Sequence, residues 1–81
     1  MNKEDKKKIE DIINKMSEII VNISSIKCEE LTKLENMSSK FFNTERYNNI
    51  EESINAMDDA MSLMSEAKDI LEETIWLHYH Q

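Results

Sequence analysis

The chain has 81 residues, 40% hydrophobic and 33% charged, with a net charge of -7 and neither glycine nor proline. Phosphate loops of the P-loop and dinucleotide-binding kinds need glycine and are excluded. An all-β fold, which depends on Gly/Pro turns, is disfavoured, and so acidic a chain is poorly suited to gripping a nucleic-acid backbone.

The first predicted element is a helix over residues 3–38. Ile9, Ile12, Ile13, Met16, Ile19, Ile20, Ile23, Ile26, Leu31, Leu34 and Met37 recur at steps of three and four, the helical period. Part of this pattern repeats every eleven residues, with Ile9, Ile20, Leu31 and Phe42 in one row and Ile12, Ile23 and Leu34 in another. An eleven-residue repeat demands little left-handed supercoil.

A turn is expected over residues 39–44, where Ser, Asn and Thr compete for backbone hydrogen bonds. Asn43 or Thr44 would cap the next helix, with Glu45 near the positive end of its dipole; Asn48 with Glu51 forms a second candidate capping box. Phe41 and Phe42 are expected to fold back over the end of the bundle.

The second helix is expected over residues 45–79. Its seam is a heptad: Tyr47, Ile50, Ile54, Met57, Met61, Met64, Lys68, Leu71, Ile75, His78. Lys68 is its one charged break. Beside the seam runs a small-residue row, Ser53, Ala60, Ala67, Thr74, which would admit another helix closely. The candidate helix-packing residues are therefore Ile54, Met57, Ala60, Met61, Met64 and Ala67. The outer face carries an acidic ridge, Glu52, Asp59, Glu66 and Glu73, also seven apart. Residues 1–47 hold nine acids and nine bases, so the net charge resides in residues 48–81, where eight acids face Lys68 alone.

A short connection makes two long helices antiparallel neighbours. Fold class is thus all-α: one domain, an antiparallel two-helix hairpin. Each helix has only one partner and more apolar width than that partner covers, so a homodimer forming a four-helix bundle is expected. One cysteine, Cys28, allows no internal disulfide and fits a reducing cytoplasm. No apolar run approaches the ~18–20 residues of a membrane span. The charged start, Met1 to Lys8, mixes both signs and is not a signal-peptide pattern. No membrane partner is expected.

The stretch Glu35-Asn36-Met37-Ser38-Ser39-Lys40-Phe41-Phe42-Asn43-Thr44-Glu45-Arg46-Tyr47, followed by Glu51-Glu52-Ser53-Ile54-Asn55-Ala56-Met57-Asp58-Asp59-Ala60, resembles a group of small acidic helical-hairpin proteins of phages and prophages. The resemblance covers about half the chain; Ser38 departs from it, standing where the group's pattern has proline. It implies a phage accessory protein in the host cytoplasm, with no assigned catalytic activity and no site residues to transfer.

Candidate chemistry is sparse. His78 and His80 lie two apart, whereas helical metal pairs sit three or four apart, so no metal site is assigned. Cys28 lies beside Glu29 and Glu30, which disfavour a reactive thiolate. The carboxylates are many but have no pocket to perturb them. No cofactor and no enzymatic activity are expected. The methionines of the seam suit either a bundle core or an adaptable binding surface. Ile75, Trp76, Leu77 and Tyr79 cannot all point inward, which leaves Trp76 as a candidate interface anchor. The candidate partner-binding set is Glu52, Asp59, Glu66, Glu73 and Trp76, facing a basic host protein. Two other readings stand behind it. One is an oligomeric sponge for a nucleotide signal, using Lys27, Lys33, Lys40 and Arg46; the other is a virion assembly helper.

Overall fold

The computed structural model describes residues 1–78 and the backbone of Tyr79. Helix α1 (Lys3–Glu35) leads through a 3-10 turn (Ser39–Phe41) into helix α2 (Glu45–Tyr79), and no strand occurs among the described residues. The two helices pack on each other as a hairpin.

Helix α1 starts where the Asn2 side chain accepts the Asp5 N–H at 2.7 Å, with Glu4 and Asp5 in the first turn to complement the helix dipole. It stops at Glu35, although the apolar spacing continues to Met37. The Asn36 N–H still reaches the Thr32 carbonyl, but Met37 shortens its bond to Leu34 and Ser38 is extended at ψ 154°. The polar run Asn36, Ser38, Ser39 turns the backbone before the apolar period ends. Asn43 then takes φ 65°, a left-handed conformation that asparagine tolerates better than most residues. Thr44 caps α2: its hydroxyl accepts the Tyr47 N–H at 3.3 Å and donates to the Phe41 carbonyl at 2.7 Å.

Phe41 and Phe42 do not cover the bundle end. Both are about half exposed. The local bonds Phe41 N–H to Ser38 and Phe42 N–H to Ser39 hold the backbone in a tight turn that leaves the rings on the outside of the tip. There Phe42 meets Tyr47 at 5.2 Å between centroids, and the Lys40 ammonium sits 5.1 Å from the centre of the Phe41 ring.

The core is a single line of side chains between the helices. Ile13, Ile50 and Ile54 are buried, and every member of the α2 seam from Tyr47 to His78 is buried or half-buried. The facing row on α1 is also a heptad: Lys6, Ile9, Ile13, Met16, Ile20, Ile23, Lys27, Glu30, Leu34, Met37, again all buried or half-buried. The eleven-residue rows are therefore not the contact rows, since Ile12 and Phe42 are exposed. Lys6, Lys27 and Glu30 occupy seam positions with their aliphatic stems, which hides the heptad from an apolar count.

Polar groups within the seam are paired. Lys68 donates to the Ser17 hydroxyl at 3.3 Å, and Ser17 in turn donates to the Ile13 carbonyl at 3.2 Å. Lys27 pairs with Asp58 at 2.5 Å. Both cross-helix contacts join residues whose numbers sum to 85, so residue i of α1 stands level with 85 − i of α2.

The result is thin. Its extents are 61 × 14 × 14 Å and its radius of gyration is 18.2 Å, against about 12 Å for a globular chain of this length.

Candidate binding surfaces

A hairpin has four sides to offer: two flanks, where both helices are seen together, and the outer back of each helix. Here the sides differ sharply in chemistry. One flank is polar: Ser17 and Ser24 come from α1, and Glu51, Asp58, Ser65 and Glu72 from α2. The cross-helix pairs Lys68–Ser17 and Lys27–Asp58 lie on it, and Leu31 and Glu51 line one shallow depression there. The opposite flank carries Ile12, Ile19 and Ile26 from α1, and Ala60, Ala67, Leu63, Ile70 and Leu77 from α2. Its six large side chains are 45–66% exposed.

The back of α2 is the acidic ridge. Glu52, Asp59, Glu66 and Glu73 are all exposed, opposite the seam. Glu45 is exposed seven residues earlier and extends the row to five carboxylates; at 1.5 Å per residue the row is about 42 Å long. Among the described residues none of the five takes part in a salt bridge. This is the common condition of the chain's carboxylates, of which only Glu4, Glu10, Glu30 and Asp58 pair with lysines, so what distinguishes the ridge is its continuous alignment on one face. Successive carboxylates are about 10 Å apart, comparable to the Debye length at physiological salt. Repulsion between successive members is therefore weak, although Asp69 lies within one turn of both Glu66 and Glu73. Only Glu45, in the first turn of α2, complements the helix dipole, and the other four form no contact that holds the hairpin. Trp76 stands beside the end of the ridge, one turn after Glu73, with 57% of its surface exposed.

The candidate packing residues fall into two groups. Ile54 is buried, Met57, Met61 and Met64 are half-buried in the seam, and none of these methionines lies on an open surface. Ala60 is half-buried and Ala67 exposed, both outside the seam on the apolar flank.

The four bases considered for a nucleotide are dispersed. Lys27 is committed to Asp58 and Lys40 lies over Phe41. Lys33 and Arg46 both line an open groove of about 750 Å³ at the hairpin tip, with Met37, Phe41 and Thr44; Lys33 is tied to Glu30 at 2.8 Å. At the other end, His78 shares a shallow depression with Lys3, Lys6, Lys7 and Glu10. Among the described residues no three of His, Cys, Asp or Glu come together as a metal site would require; His80 lies outside those residues. Cys28 is exposed and unbridged.

Among the described residues, Tyr47 is the one group whose acidity departs clearly from the ordinary. Burial beside the tip pushes its phenol up, and the Glu51 carboxylate adds to this by hydrogen bonding and by its charge. This neutral phenol belongs to the joint between turn and helix and suggests no chemistry of its own.

Comparison with protein-family models, with curated proteins and with solved structures finds no match. No helix of the described residues is long and apolar enough to cross a membrane.

Proposed function

We propose that this chain is a non-catalytic, phage-encoded accessory protein that works as a homodimer and inhibits a host defence protein by presenting its acidic ridge to a basic surface. The observation that carries the reading is the continuous row of five exposed carboxylates, seven residues apart, on the back of α2. Aligned charge at Glu52, Asp59, Glu66 and Glu73, which makes no contact that holds the hairpin, suits recognition, because complementary potentials steer encounter and discriminate among partners. The phage origin rests on the resemblance of the residue 35–60 segment. Trp76, beside Glu73, supplies an aromatic anchor of the kind that dominates interface energetics.

The test compares host-lysate capture by the parent with capture by a variant carrying Glu52→Gln, Asp59→Gln, Glu66→Gln and Glu73→Gln. The variant should fold as the parent does and lose the partner, and the parent's capture should weaken as salt rises. A folded variant that keeps full capture and full biological activity refutes the ridge as the recognition surface.

A second reading, a sponge for a nucleotide signal, has one observation in its favour: Lys33 and Arg46 both line the tip groove, whose volume falls in the range of ligand pockets. A nucleotide carried through purification, and lost on Arg46→Ala, would favour it over the inhibitor.

A further inference from the structure

We infer that the apolar flank of the hairpin, carrying Ile12, Ile19 and Ile26 of α1 and Leu63, Ile70 and Leu77 of α2, is the surface on which a second copy of this chain docks. The inference rests on the dimeric reading above and specifies which face makes the dimer.

Each row is spaced by seven residues, the same period as the seam that joins α1 to α2. Both helices therefore carry a second straight stripe. In α1 each member precedes Ile13, Ile20 or Lys27 by one residue, about 100° of rotation, and in α2 it precedes Met64, Leu71 or His78, which sets it farther round, between the Ala60 and Ala67 row and the acidic ridge. The two stripes share a side of the hairpin. The polar flank is common to both helices, as the Leu31 and Glu51 depression and the two cross-helix polar contacts establish, so the flanks opposite to it are common as well. With residue i level with 85 − i, Ile19 stands near Ala67 and Ile26 near Ala60, large beside small. This surface of ridges and hollows fits helices of the same period.

The areas agree with a second copy rather than a small ligand or a short peptide. A compact monomer of 9.6 kDa exposes about 5,100 Å², whereas this chain exposes 6156 Å². The excess is about 1,000 Å², close to the ~800 Å² per partner of a standard stable interface. One side of the hairpin, 61 by 14 Å, supplies such a footprint only to a partner equally long and straight. A two-fold pair would bury the flank on both copies and leave the acidic ridge and the polar flank outside.

Sedimentation equilibrium of the parent, Ile70→Glu, the double variant Leu63→Ala/Ile70→Ala, and Val21→Glu tests this, with helicity followed by circular dichroism. Val21 is as exposed as Leu63 but lies away from the apolar flank. The parent and Val21→Glu should be dimers, and the two flank variants should lose the dimer. Alanine favours helix, so the double variant guards against simple loss of fold. If it too unfolds, thiol accessibility in a Cys28→Ser background decides: a cysteine introduced by Ile70→Cys should be protected from a water-soluble maleimide relative to one introduced by Val21→Cys, and equal reactivity overturns the inference. A monomeric parent overturns the dimer itself. Flank variants that stay dimeric leave the dimer standing but place its interface elsewhere, which overturns the inference.

Discussion

The same substitution at two isoleucines of α1 separates the contribution of the hairpin from that of its self-association. Ile13 is 8% exposed and Ile19 45% exposed, six residues apart in one helix, so the propensity change of Ile→Ala cancels between them. The substitution removes three methylene equivalents, at about 0.8 kcal/mol each when buried. Ile13→Ala should therefore cost about 2.4 kcal/mol, a large share of the roughly 4–12 kcal/mol that a chain of this length commands. In a lone hairpin, Ile19→Ala should cost only about 1.3 kcal/mol, because nearly half of that side chain is already in water. If a second copy covers the flank, Ile19→Ala rises to match Ile13→Ala and falls back as protein is diluted below the dimer dissociation constant. Urea unfolding, followed by circular dichroism at high and low protein concentration, reads both values. An Ile13→Ala cost below about 1 kcal/mol would contradict the seam. An Ile19→Ala cost that stays near half of the Ile13 value at every concentration would contradict the covered flank.

Two further outcomes follow from the seam and its joint with the turn. Lys68→Met should be neutral or stabilising by up to about 1 kcal/mol in the same unfolding assay, since Ser17 keeps its bond to the Ile13 carbonyl and no buried polar group is left orphaned; a loss larger than that would show the Lys68–Ser17 contact to be needed. Tyr47, measured by alkaline spectrophotometric titration in a Tyr79→Phe background, should ionise above the usual tyrosine value, and Glu51→Gln should bring it only part of the way back because burial is the larger cause. The sign follows from the raised folded-state value: the stabilisation from neutral Tyr47 is complete below the ordinary phenol value near 10 and disappears as pH rises through the higher one.

The α2 seam was legible because its ten positions keep strict three- and four-residue steps and its one irregularity, Lys68, stays in register. The acidic ridge followed from the same period. The α1 contact face was harder to read. Three of its ten positions are Lys6, Lys27 and Glu30, whose stems pack while their charges reach out, and Ile9, Ile20 and Leu31 on one row and Ile12, Ile23 and Leu34 on another form a competing eleven-residue pattern. Asn2 as the cap of α1 is not legible in the sequence, because residues 2–8 are all polar or charged and no apolar spacing marks where the helix begins. The apolar flank of α2 is half visible in the sequence as the neighbouring small-residue row of Ala60 and Ala67. Its large members, Leu63, Ile70 and Leu77, became meaningful only when the structure put them on the same flank as Ile12, Ile19 and Ile26. Which flank two antiparallel helices share depends on their relative rotation, which a one-helix pattern does not contain.

The division of α2 into stripes constrains where any partner can sit. A helix presents seven heptad positions around its circumference. On α2 the two seam positions are taken by α1, and the flank of Ala60, Ala67, Leu63 and Ile70 by the inferred second copy. The polar flank is partly occupied by the pairs that Asp58 and Lys68 make with α1. What remains open is the back, and that is where the five ridge carboxylates lie. A dimer through the apolar flank then carries two such ridges on one rigid body. A partner with two basic sites would be held by both, and linking two weak contacts in this way raises avidity without any new contact. Avidity of this kind would let a chain with a small core hold the proposed partner through two ridges and their Trp76 anchors, provided the dimer holds. The flank variants should therefore lose partner capture along with the dimer, even though every ridge carboxylate is intact. If a monomeric, folded flank variant captures the partner as well as the parent does, the two ridges act separately and this coupling is wrong.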